Sequence, residues 1–227
     1  MPSLTQLLAG HGSLLVLDAA SLNVQAGLLR PSAPPFWHRA RQEAGTGLFA
    51  GADTLLTGAG LELDRIGAFV FCEGPGSMLG IRTVAMALRT WAVLQVRPVY
   101  SYQSLALAGR YEWQQKPPRS FTVIADARRE SWHCQPVGLD GVMPPLQRVA
   151  AAALPASELV TPADFRSWAA APRPAVTCSY DLGAILPAVA DGDYFQAAEM
   201  PDAFQHEAPA YKKWSAQIHR AAPAPLP

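Results

Sequence analysis

The chain has 227 residues, 50% of them hydrophobic, which is enough for one large domain or two small ones. Its 18 basic and 18 acidic side chains cancel, so it lacks the overall positive charge of a protein that binds nucleic acid on its own. Cys72, Cys134 and Cys178 are scattered and odd in number, giving neither a CxxC zinc spacing nor a disulfide framework, and a reducing cytoplasm is the expected location. The apolar stretches are broken by charge or glycine, and Met1 to Gly12 lacks the basic start and long apolar core of a signal peptide.

Leu14-Leu15-Val16-Leu17 is a continuous apolar run ending in Asp18, the pattern of a buried strand. Val24 to Leu29 follows across Ser21-Leu22-Asn23 as its hairpin partner, and Phe36 to Gln42 reads as a third, exposed strand. Leu48 to Thr57 has helical apolar spacing, weakened by Gly51. Ile66 to Phe71 is another buried strand, and it runs into the loop Cys72-Glu73-Gly74-Pro75-Gly76-Ser77-Met78-Leu79-Gly80-Ile81-Arg82. A helix is predicted from Leu79 to Gln95, with Ile81, Val84, Ala85, Leu88 and Ala92 on one face and Arg82, Met86, Arg89 and Val93 on the other. An extended piece from Val99 and a helix over Tyr102 to Tyr111 close the first half.

Lys116-Pro117-Pro118 separates a second half, dividing the chain at 1–116 and 117–227. Phe121 to Ala125 reads as a strand ending in Asp126, Ser131 to Val137 as its hairpin partner, and Ala175 to Cys178 as a later strand. The Ala- and Pro-rich stretch from Asp140 to Pro174 carries no firm pattern, and Ala221 to Pro227 reads as a disordered tail. The two halves rhyme: each opens on a buried strand that ends in Asp, followed by a turn and a return strand.

Three features carry chemistry. Gly74, Gly76 and Gly80 precede a helix whose free N–H groups point toward the loop, a geometry that can hold phosphate, though Ser77 is followed by no GK[ST] lysine. Asp18 and Asp126 end strands, where carboxylates can hold hydrated magnesium or cap a turn; Asp126, followed by Arg128 and Arg129, is expected in an ion pair. The five histidines lack metal-ligand spacing, Ser77 lacks a nucleophile elbow, and there is no HExxH, so peptidase chemistry is not expected. Trp113, Trp132 and Trp168 read as core or lid packing rather than a base-stacking platform.

Taken together the pieces resemble the TsaB family of bacterial tRNA threonylcarbamoyladenosine (t6A) synthesis. That family opens on a strand and an Asp-Thr-Ser turn, here Leu15 to Ser21; its hallmark GPGSFTG and Ile/Leu-Arg pair are matched by Gly74 to Arg82. An Asp-Ala-Arg turn in its second half is matched by Ile124 to Ser131, and its late Pro-x-Tyr phrase by Pro209-Ala210-Tyr211-Lys212-Lys213. Ala19 and Leu79 replace two threonines of the pattern, each removing a hydroxyl that could face a phosphate, and Gln42-Glu43-Ala44-Gly45 replaces an Arg-Glu-His-Ser phrase.

The resemblance implies an actin/Hsp70-like α/β fold of duplicated strand-hairpin-helix units. It implies a non-catalytic subunit that binds and activates TsaD, the larger paralogue that carries the metal and transfers the threonylcarbamoyl group. A TsaE-like ATPase is the further partner expected, and a homodimer is expected in isolation. The implied interface is the helix pair beside the Gly-rich loop, represented by Leu48, Leu55, Arg82, Met86, Arg89 and Val93, an apolar strip with a charged rim. Asp18, Gly74, Gly76, Ser77 and Gly80 become a vestigial nucleotide site, with ATP and magnesium expected only at a shared interface. Two alternatives remain: an actin-like ATPase or phosphotransferase using Asp18 and the loop, or a degenerate paralogue that only self-associates.

Overall fold

The computed structural model of the chain describes residues 1–204, so the Pro209 to Lys213 phrase and the tail lie outside the described residues. β1 (Leu14–Asp18) is buried along its whole length, as a strand covered on both faces must be. It pairs antiparallel with β2 (Val24–Arg30), which pairs antiparallel with β3 (Ala33–Ala40). On its other edge β1 runs parallel to β4 (Ala68–Gly74), which runs parallel to β5 (Val99–Gln103).

The second half repeats this order. β6 (Phe121–Asp126) pairs antiparallel with β7 (Ser131–Val137), which pairs antiparallel with β8 (Gln147–Ala150). On its other edge β6 runs parallel to β9 (Glu158–Pro162), which runs parallel to β10 (Ala175–Cys178). A last short strand, β11 (Gln196–Ala197), returns to the first sheet and adds antiparallel to β5. The rhyme read from the two Asp-ending strands is thus a duplicated five-strand topology.

The helices are duplicated only in part. α1 (Leu4–His11) is capped reciprocally by Ser3 and Gln6 and precedes the first sheet. α2 (Ala44–Ala59) and α3 (Met78–Leu94) pack on each other and cover one face of the first sheet. α4 (Ser104–Gln115) lies against both sheets, and α5 (Leu182–Ala188) packs on it. Where the first half has α2 and α3, the second has one 3-10 turn at Ala151–Ala153 and an irregular segment over 163–174.

Strand alternation divides the core accordingly. Leu14 and Val16 of β1 face the space between the sheets, where they join Val70, Leu105, Phe121, Val123, Leu182 and Ile185. Leu15 and Leu17 face the other way, into a cluster with Phe69, Phe71, Leu48, Leu55, Val84 and Leu88 under α2 and α3. Among the described residues, the buried cluster on the outer face of the second sheet is Ile124, Trp132 and Leu159, covered by small residues such as Ala171 and Ala175. Each Leu removed from water contributes about 1.5–3 kcal/mol, so the helix-covered face is much the better anchored. No helix among the described residues is long and apolar enough to cross a membrane.

Candidate functional site

The parallel pairing of β1 and β4 brings Asp18 and the Gly-rich loop to the same carboxyl edge of the sheet, where α/β folds gather ligands. There the loop folds down onto the turn after β1. The Ser77 N–H donates to the Ala20 carbonyl at 2.7 Å, and Ser77 Oγ caps α3 by accepting from the Gly80 N–H at 3.4 Å. Gly74 and Gly76 have φ of 120° and 156°, in the region that favours glycine. A Cβ on Gly76 would strike the Ala20 carbonyl, and one on Gly80 the Ala19 carbonyl. The glycines therefore let two backbones touch.

Asp18 is wholly buried. One carboxylate oxygen accepts from the Ala20 N–H at 2.8 Å; the other accepts from the Tyr102 and Tyr180 hydroxyls, each at 2.7 Å. Tyr102 lies on β5 and Tyr180 follows β10, so both halves of the chain close on one carboxyl group. Burial pushes the Asp18 carboxyl above its ordinary value, against the pull of these hydrogen bonds. Burial and the Asp18 charge push the adjacent Cys72 thiol and both tyrosine hydroxyls well up.

Neighbouring contacts seal the same seam. Gln25 donates to the Tyr180 carbonyl at 3.1 Å and accepts from the Leu182 N–H at 2.9 Å. Asn23 donates to Asp164 at 2.7 Å, and Arg39 and Arg41 pair with Asp164 at 3.3 and 3.5 Å. Glu73, also buried, accepts from Ser101 at 2.7 Å, Gln196 at 2.9 Å and Gln103 at 3.3 Å, tying β4 to β5 and β11. The motif contains Glu73, yet its role was not legible because all three partners lie on other strands. A magnesium–nucleotide would need carboxylate oxygens open to water and loop amides open to phosphate. Asp18, Gly74, Gly76, Ser77 and Gly80 come together, but they do not fit that group: the carboxylate is enclosed by protein donors and the loop rests on the Ala19-Ala20 backbone.

The helix pair divides the expected interface residues. Leu48 and Leu55 are wholly buried under α2, so they hold the helix to the sheet and offer nothing to a partner. The reason is register: they lie on the inner stripe, while Phe49 points outward and meets Trp91 edge-on at 6.0 Å. Arg89 is half-buried; its Nε donates to the Pro201 carbonyl at 2.7 Å and it pairs with Asp202 at 3.4 Å, holding the 201–202 segment along α3. Arg82 is exposed. Met86 and Val93, 56% and 86% exposed, continue a line from Leu79 at seven-residue intervals, two helical turns each. Leu79, standing where the resembled pattern has Thr, lengthens that apolar line to three residues.

Asp126 occupies in β6 the place of Asp18 in β1, and its surroundings differ. It was expected to pair with the Arg128 and Arg129 side chains; instead it accepts from main-chain N–H groups of Arg128 at 2.5 Å, Trp168 at 2.7 Å and Ala169 at 3.0 Å. Desolvation raises its carboxyl, but these N–H donors outweigh it and hold the group below its ordinary value. The turn that follows puts Arg128, Arg129 and Glu130 at φ of 62°, 51° and 57°, a left-handed run that costs on the order of 1 kcal/mol per residue. That backbone turns the Arg128 side chain away from the carboxylate, and its guanidinium lies 4.1 Å over the Trp168 ring. Among the described residues, no cluster of His, Cys, Asp and Glu is placed to hold a metal ion.

A family model described as TsaD, tRNA N6-adenosine threonylcarbamoyltransferase, matches residues 48–135, a span that takes in the Gly-rich loop and α3. No match is found among curated proteins. Among solved structures, YeaZ from Pseudomonas aeruginosa superposes with a TM-score of 0.56 at 21% identity, over 66% of this chain and 75% of that one. An uncharacterized protein with similarity to peptidase YEAZ from Pseudomonas aeruginosa superposes with a TM-score of 0.61 at 19% identity, over 88% of this chain and 99% of that one. The chain therefore has the actin-like fold of YeaZ and, over residues 48–135, a TsaD-like sequence.

Proposed function

We propose that this chain serves tRNA t6A modification as a non-catalytic subunit that binds a TsaD-like protein through the outer face of α2 and α3. The observation that carries the reading is the apolar line Leu79, Met86 and Val93 on α3, with exposed Phe49 on the neighbouring helix and Arg82 at the edge. Exposed apolar side chains in a row, rimmed by charge, are what a partner surface looks like before the partner arrives. The TsaD-like match over the same helices supports the assignment. The fold supports it too, since YeaZ-like structures share the sheet that presents this pair.

The enclosure of Asp18 favours this reading over an ATPase or phosphotransferase of the same fold, which would need that carboxylate at the solvent edge. In isolation the same apolar line gives the chain a surface on which a second copy can pair, so a homodimer and the TsaD-like complex would compete for it. A TsaE-like ATPase would join only the complex. The test is co-purification of the full chain with its TsaD-like partner, together with t6A content of tRNA after deletion. Arg82→Glu with Val93→Asp is expected to abolish the complex and lower t6A; a complex that survives both changes rules out this face.

A further inference from the structure

We infer that the end of the second sheet formed by the β6–β7 turn and the 166–169 segment is a binding site for single-stranded RNA, with a base stacked at Trp168 and its phosphates on the surrounding arginines. This deepens the t6A reading, since it gives the chain its own contact with the RNA substrate of that pathway. It departs from the expectation set by composition, because zero net charge is a sum over the whole chain whereas phosphate contacts are local.

Trp113, Trp132 and Trp168, which the sequence groups as packing residues, have three different environments. Trp132 is buried in the outer cluster, and Trp113 is partly buried with its Nε1–H donating to the Leu139 carbonyl at 3.3 Å. Trp168 is 57% exposed. Its ring has the Arg128 guanidinium at 4.1 Å and that of Arg166 at 6.0 Å. Beside it opens a cavity of about 360 Å³ lined by Arg128, Arg129, Ser131 and Trp168, the size class of a small-ligand site.

The charges facing this cavity are Arg128, Arg129 and nearby Arg166 against Asp126 and Glu130. The Asp126 charge is taken up by three main-chain N–H groups, so it offsets the arginines less than its formal value. Those same bonds pin the backbone at Trp168 and Ala169, and the left-handed turn fixes Arg128 and Arg129 at its tip. The platform is held in place before any ligand arrives, which lowers the ordering cost of binding. An aromatic ring beside guanidinium planes favours RNA over an acidic peptide, because every base offers a π face and a peptide carboxylate does not.

The experiment is fluorescence anisotropy of the purified full chain with a fluorescein-labelled single-stranded oligoribonucleotide, in parallel with a labelled poly-glutamate peptide. Trp168→Ala is expected to weaken RNA binding about tenfold, and Trp168→Phe to restore most of it. Arg128→Glu with Arg166→Glu is expected to abolish binding and flatten its salt dependence. The inference is overturned if the wild-type chain does not bind RNA, if Trp168→Ala binds like wild type, or if the peptide binds as tightly as the RNA. Measuring t6A in a deletion strain separates the two readings. Loss of t6A with Trp168-independent RNA binding sinks only this inference, whereas Trp168-dependent binding with normal t6A sinks the pathway reading and leaves the RNA site standing.

Discussion

Asp18 and Asp126 end the central strands of two sheets with the same strand order, yet one is sealed and the other is wrapped at the surface. Asp18 sits under a helix-covered sheet at the seam between the halves, where two tyrosines close over it. Asp126 sits where the second half lacks equivalent helices, and an irregular segment curls over it instead. Burial drives the first carboxyl up; main-chain donors hold the second down. The same topological position has become a structural keystone in one half and the root of an exposed loop platform in the other. The difference comes from what covers the strand end, not from the strand.

The comparison breaks most directly at the aromatic partners. Tyr180→Ala is expected to destabilise the fold by about 3–5 kcal/mol, the cost of deleting a buried aromatic, while Trp168→Ala should change stability by no more than about 0.5 kcal/mol. Urea unfolding of both variants checks this, and equal losses would mean that the two strand ends are equivalent after all. Gly80→Ala comes next. Its new methyl meets the Ala19 carbonyl, a backbone atom that cannot swing aside, and a loss of about 1–3 kcal/mol is expected by the same measurement.

The smallest effect is also the most specific, and it is read from pH. Asp18 has a raised folded value, so the stability its protonated form supplies is full below 3.8 and is lost as pH rises from there through the folded value. Asp126 has a lowered folded value, so its contribution is present above 3.8 and is lost as pH falls through the folded value. Thermal melts of Asp18→Asn and Asp126→Asn across acid pH should therefore diverge from wild type with opposite slopes. Parallel slopes would contradict the assignment of opposite environments.

Much of the fold was legible because local patterns carried it. The Ser131 to Val137 and Ala175 to Cys178 strands fall where their apolar and β-branched residues put them. The α3 helix begins at Met78, within a residue of its prediction, because Ser77 caps it and the 3.6-residue stripe runs unbroken. α1 was missed although Ser3 and Gln6 spell a capping box, a signal that precedes only a short apolar run. Leu48 and Leu55 were placed on the wrong side of α2 because periodicity gives a stripe but not which neighbour it meets. The third β-strand begins at Ala33 rather than Phe36, since pairing with β2 carries it through two prolines.

The sequence by itself determined that two Asp-ending strand units frame a glycine-rich turn into a helix, because spacing, glycine and capping act within a few residues. Only the tertiary structure decided what those aspartates and glycines do. Tyr180 lies 162 positions from Asp18, and the carbonyls that exclude a side chain at Gly76 and Gly80 belong to a different strand end. Contacts of that range depend on how the two sheets close on each other, which no local pattern encodes.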